Sequence, residues 1–130
     1  MKLENHALKL REHLRALEWA VRQDNQSSIG FHASAGSVEV LSILLHRLMK
    51  VQLDFQINHG WFKSKGVLSQ KMPFDFPRKE EILRLMWNIE ELRNPLCYGS
   101  PRPESSIDEI LESFYKIKEI VEGILGEKLE

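Results

Sequence analysis

Between Val38 and Phe55 the chain carries Val38, Val40, Leu41, Ile43, Leu44, Leu45, Leu48, Met49, Val51, Leu53 and Phe55. No single face of a helix holds all of these side chains. A helix that is apolar nearly all round must be covered on every side, so it is either central to a bundle or shared with a second subunit. The pattern predicts a helix from near Ser28–Phe31 to about Asn58, and the rest of the chain must be able to enclose it. At its start Ala33, Ser34, Ala35, Gly36 and Ser37 form a block of small residues where another backbone can approach closely. Gly36 costs about 1 kcal/mol of helix propensity relative to alanine, which points to a packing reason for it.

Three further segments have the spacing needed to cover that helix. Leu3, Ala7, Leu10, Leu14, Leu17 and Val21 alternate steps of four and three, a single apolar seam that ends in the polar run Asp24-Asn25-Gln26-Ser27-Ser28. A helix from about Arg78 to Asn94 shows Ile82, Met86 and Ile89, with Asp75 as its expected cap, Pro77 in its first turn, and Glu80 and Glu81 suited to its positive end. The last helix opens on Ser106-Ile107-Asp108-Glu109, a capping-box pattern. It turns Ile107, Ile110, Leu111, Phe114, Ile117, Val121 and Ile124 inward and stops at Gly126. Residues 59–77 form a long connection in which Trp61, Phe62, Phe74 and Phe76 interleave with Lys63, Lys65 and Lys71. Such aromatics either pin a loop onto the bundle or stack nucleic-acid bases. The expected fold is all-α, a four- or five-helix up-and-down bundle forming one domain over residues 1–130.

Composition narrows the function classes. The apolar runs are too short to predict a membrane span, and the first residues lack the apolar stretch of a secretory signal, so a cytoplasmic protein is expected. The lone Cys97 fits a reducing compartment and reads as a packing thiol. Residues 104–130 hold eight acids against three lysines, a net −5, which leaves +4 for residues 1–103. That basic part can attract RNA or an acidic partner without the strong positive balance of a dedicated nucleic-acid binder. No glycine-rich phosphate loop, metal-ligand cluster or hydrolase triad is legible, so neither metal nor cofactor is expected. His6 and His13, seven apart, read as surface or boundary histidines. His32 and His46, fourteen apart, are about 21 Å from one another along a helix and so cannot share one site within a chain.

What remains is Arg93-Asn94-Pro95-Leu96-Cys97-Tyr98-Gly99. The stripe Ile82, Met86, Ile89 continues to Arg93 and then Leu96, which sets a guanidinium where the spacing expects a buried contact. Burying it unpaired costs several kcal/mol, roughly, so it needs a carboxylate, carbonyls or a phosphate. Because Pro95 disfavours helical geometry at Asn94, a break is expected at the Arg-Asn pair, with freed backbone groups beside Arg93.

Arg-Asn followed by a short apolar run, a ring residue and glycine resembles the signature of HEPN domains, small helical bundles. In that family an arginine and a polar residue precede a histidine, and arginine and histidine meet at a dimer cleft to cut RNA. Here Arg93 and Asn94 match the first two positions, whereas Tyr98 stands at the histidine position and no histidine follows His59. Tyrosine, with a pKa near ~10, is a poor base at neutral pH. The resemblance therefore implies a nucleotide- or RNA-binding module with Arg93, Asn94, Tyr98 and Arg102 as ligand contacts. It also implies a homodimer and a nucleotidyltransferase partner, in a toxin–antitoxin-like system. The alternatives are a metal-independent endoribonuclease using Arg93, Asn94 and Tyr98, and a non-catalytic assembly scaffold.

Overall fold

The computed structural model describes residues 2–130 and is an all-α helical bundle. Its helices are α1 (Leu3–Arg22), α2 (Gln26–Arg47), the short α3 (Lys65–Lys71), α4 (Lys79–Tyr98) and α5 (Glu104–Leu125), with a 3-10 turn over His59–Lys63. α2 is the hub, packed against α1, α4 and α5. Its all-round apolarity is thus accounted for within one chain: Val40, Leu41, Leu44 and Leu45 are wholly enclosed. By length and hydropathy α2 would pass as a membrane span, but most of it is buried inside the bundle. Around it lie Leu10 and Leu17 of α1, Ile82, Met86 and Ile89 of α4, and Ile110, Phe114 and Ile117 of α5, all at or near zero exposure.

Several expected boundaries move. α2 stops at Arg47, not near Asn58, because Met49 takes a left-handed conformation (φ 58°) and Lys50 N–H closes the end on Leu45 O at 3.0 Å. Beyond it Val51, Leu53, Phe55 and Ile57 alternate with polar residues, an extended period of two in place of the helical one. Met49 at the reversal and Leu53, in a turn closed by Phe55 N–H on Gln52 O at 3.0 Å, stand out in solvent, 87% and 69% exposed. At the head of α4 the cap is Arg78, itself left-handed (φ 57°), and neither Asp75 nor Pro77 takes part in the first turn. α5 begins at Glu104 behind Pro103, so Ser106 lies inside the helix and the capping box is not formed. Gly126, at φ 71°, does end α5 as its spacing predicts. On α1 it is Ala20 that faces the core, while Val21 lies outside.

The connection after α2 is pinned by its aromatics. Phe62 and Phe76 are buried, Phe55 packs at 5.7 Å from Trp61 and 6.3 Å from Phe74, and Lys79 Nζ donates to the carbonyls of Met72 and Phe74 at 2.9 and 2.6 Å. Rings used this way are not a free stacking surface. The break expected at Arg93-Asn94 is also absent, since α4 runs through Pro95 to Tyr98. Proline here removes only the bond its own N–H would have made. The last turn is closed by Gly99 N–H on Pro95 O at 3.0 Å and held from outside by Ser27 of α2.

Candidate functional site

α2 and α4 run antiparallel, and their register is written in three contacts. Ser27 Oγ donates to Cys97 O at 3.2 Å and the Cys97 thiol donates back to Ser27 O at 3.4 Å. One turn on, Gly30 lets α4 come so near that a Cβ there would meet Leu96 Cβ at 2.9 Å, Cys97 Sγ at 3.2 Å and Arg93 O at 3.5 Å. Another turn on, Ser34 Oγ donates to Glu90 Oε1 at 2.6 Å. Phe31, next to Gly30, is partly exposed, and its ring lies against His13 of α1 and His32, at 6.1 and 5.0 Å between centroids. Below Cys97 the chain is clipped to the start of α2, with Gln26 Nε2 on Arg102 O at 2.8 Å and Arg102 N–H on Gln26 Oε1 at 2.9 Å.

Arg93 is half-buried on this seam. Its Nε is enclosed and without a hydrogen-bond partner, and no carboxylate is paired with the guanidinium among the described residues. The structural ion pair that would explain a charge in the stripe is not there. Asn94 and Tyr98 point outward, Tyr98 being 78% exposed, and Arg102 is exposed beyond them. Arg93, Asn94 and Tyr98 thus share the end of one helix, while Arg102 is bound to the site through its backbone. Burial raises the Cys97 thiol above its ordinary pKa, with Arg93 opposing, so it is a packed thiol and no nucleophile at neutral pH.

Sequence spacing missed the histidine. His59, from the 3-10 turn, lies against α2 and α4 with its Nδ1 2.8 Å from Glu90 Oε1 and 3.3 Å from Ser34 Oγ. Glu90 precedes Arg93 by one helical turn, so an imidazole does stand by the motif, delivered by a residue far ahead of it in sequence. The carboxylate accepts from both the serine hydroxyl and the ring, which leaves Nε2 as the nitrogen not engaged by Glu90. A spacing that puts Glu90 and Arg93 on one face was visible in the sequence; the fold-back of His59 was not.

The remaining histidines pair across α1 and α2. His13 Nδ1 and His32 Nδ1 are 2.9 Å apart, and His6, expected at the boundary, is 2% exposed with Nδ1 2.5 Å from Glu39 Oε2. Among the described residues no group of three or more His, Cys, Asp or Glu side chains is placed to hold a metal. No protein family, no curated protein and no solved structure matches the chain.

Proposed function

We propose that the chain binds a nucleotide or RNA through its phosphate, at Arg93 on the α2–α4 seam. The observation that carries this reading is the unpaired guanidinium. A half-buried arginine in no salt bridge among the described residues keeps its fork of donors for an oxyanion, since Glu90, one turn before it, is engaged by Ser34 and His59. Phosphate is the oxyanion that fork fits best. Asn94 and Tyr98 extend the polar surface on the outer side. This is the role the likeness to HEPN domains implies, and with it come a second copy of the chain and a nucleotidyltransferase subunit as partners. Anisotropy of a labelled single-stranded RNA tests the binding. Arg93→Ala should weaken it about ten- to a hundredfold, the loss of one charge-assisted contact, and should lower the salt slope by about one. Equal affinity in wild type and Arg93→Ala would contradict the assignment.

The Ser34–Glu90–His59 arrangement favours a second reading, cleavage of the bound RNA. An imidazole whose one nitrogen is held by a carboxylate presents the other as a base, suited to taking the proton of a 2′-hydroxyl while Arg93 holds the phosphate. Its signature is cleavage near neutral pH that is lost in both His59→Ala and Arg93→Ala and kept in Tyr98→Phe. RNA bound but left intact by the wild-type protein returns the site to binding alone.

A further inference from the structure

Buried polar atoms without partners are uncommon in folded proteins, and each asks for an explanation such as a water or an ion. Two of them lie together between the start of α1 and the end of α2, remote from Arg93 along both helices. The Nε2 atoms of His6 and His46 are both enclosed and unpartnered, and the two rings stand 5.1 Å apart at 37°. His6 is tethered through its other nitrogen, Nδ1, by Glu39 Oε2 at 2.5 Å. A carboxylate oxygen accepts, so Nδ1 donates to Glu39, and Nε2 is the nitrogen of this ring that is left for another partner. That is the arrangement behind most metal-binding histidines: a carboxylate fixes the tautomer and aims the free nitrogen. His46, in the last turn of α2, supplies the second ring, its Nε2 enclosed like that of His6.

We propose that His6 and His46 form a two-imidazole site for a divalent cation of the zinc class, aimed by Glu39 and completed by solvent. An ion bonded to both Nε2 atoms at about 2.0–2.1 Å would see ring centroids 5.1 Å apart at close to the tetrahedral angle. A cavity of about 150 Å³ opens beside His6, lined also by Glu39, Ser42, Gln56 and His59 though not by His46, and it is the nearest room for solvent. Uncharged imidazole selects zinc, copper or nickel over magnesium or calcium, which take oxygen. The ion would tie the first turns of α1 to the last turn of α2.

Cobalt is the probe, because a tetrahedral Co²⁺ complex absorbs strongly in the visible and an octahedral one does not. Titration of the full chain should give one tetrahedral equivalent, displaced by Zn²⁺, and Zn²⁺ should raise the melting temperature. His46→Gln should abolish both effects, and Glu39→Gln should weaken the affinity about ten- to a hundredfold. His32→Gln, which removes the other histidine pair, should leave both unchanged. Proton–nitrogen correlation spectra of the wild-type imidazoles serve where a variant does not fold: Zn²⁺ should move the nitrogens of His6 and His46 and spare those of His13 and His32. No metal-dependent change in the wild type, or binding that survives His46→Gln and is lost in His32→Gln, overturns the proposal.

Discussion

At position 36 an alanine would favour the helix by about 1 kcal/mol, yet the chain has glycine. A Cβ there would stand 2.9 Å from Cε1 and 3.3 Å from Cζ of Phe114, a ring with no exposure and no room to swing aside. Overpacking of this kind costs about 1–3 kcal/mol, so steric strain outweighs the gain in propensity. Gly36→Ala should therefore lower the melting temperature by a few degrees; a variant more stable than wild type would show that the ring can move. The sequence pointed to Gly36 as a packing position but not to the partner, which is a side chain of α5 in place of a neighbouring backbone. Arg93 was legible in the same way. Its place in the apolar stripe marked it as unusual, while the lack of a carboxylate opposite could be seen only once α2 and α4 were in register. The histidines were least legible, because His6, His13 and His59 each meet a partner on another element.

Helix cores were readable, and helix ends only in part: Leu3 and Gly126 mark the start of α1 and the stop of α5 as expected, while the ends of α2 and α4 fall elsewhere. Ile82, Met86 and Ile89 of α4 and Ile110, Phe114 and Ile117 of α5 are buried as their spacing predicts. α2 ends short of its apolar run because a left-handed Met49 turns the chain after Arg47, and apolar content alone does not carry that reversal. Pro95 misled in the opposite direction. Proline there costs the helix the bond to the carbonyl four residues back, yet the packing of Leu96 and Cys97 on Gly30 holds that turn in place. The continuity of α4 matters for the site. It keeps Glu90, Arg93 and Cys97 on one face, opposite Ser34, Gly30 and Ser27.

Across the whole molecule, stability should depend on pH through the contact between α1 and α2. Burial, then the facing His32, lowers the pKa of His13, with Lys9 also lowering it and Glu39 and Glu12 raising it; burial lowers that of His32. Both rings therefore resist protonation in the fold more than in the unfolded chain, where they titrate at about 6.5. Their full stabilising effect is present above that pH. As pH falls below it, the unfolded state takes up the protons first and stability drops, down through the folded values. Urea denaturation at pH 7.5 and 5.5 should give the lower midpoint at the acid pH, with a smaller difference in His32→Gln. A midpoint that rises on acidification would mean the pair gains from charge.

The central claim, that Arg93 is kept for a phosphate and not for the fold, can be put to one direct measurement. Wild type and Arg93→Ala are melted side by side, with and without a nucleoside diphosphate. Since no partner is stranded by the substitution, the variant without ligand should melt close to wild type, within about 1 kcal/mol. The nucleotide should raise the melting temperature of the wild type alone. A large loss in the unliganded variant, of about 3–5 kcal/mol as when a buried ion pair is broken, together with no ligand shift in the wild type, would contradict the account.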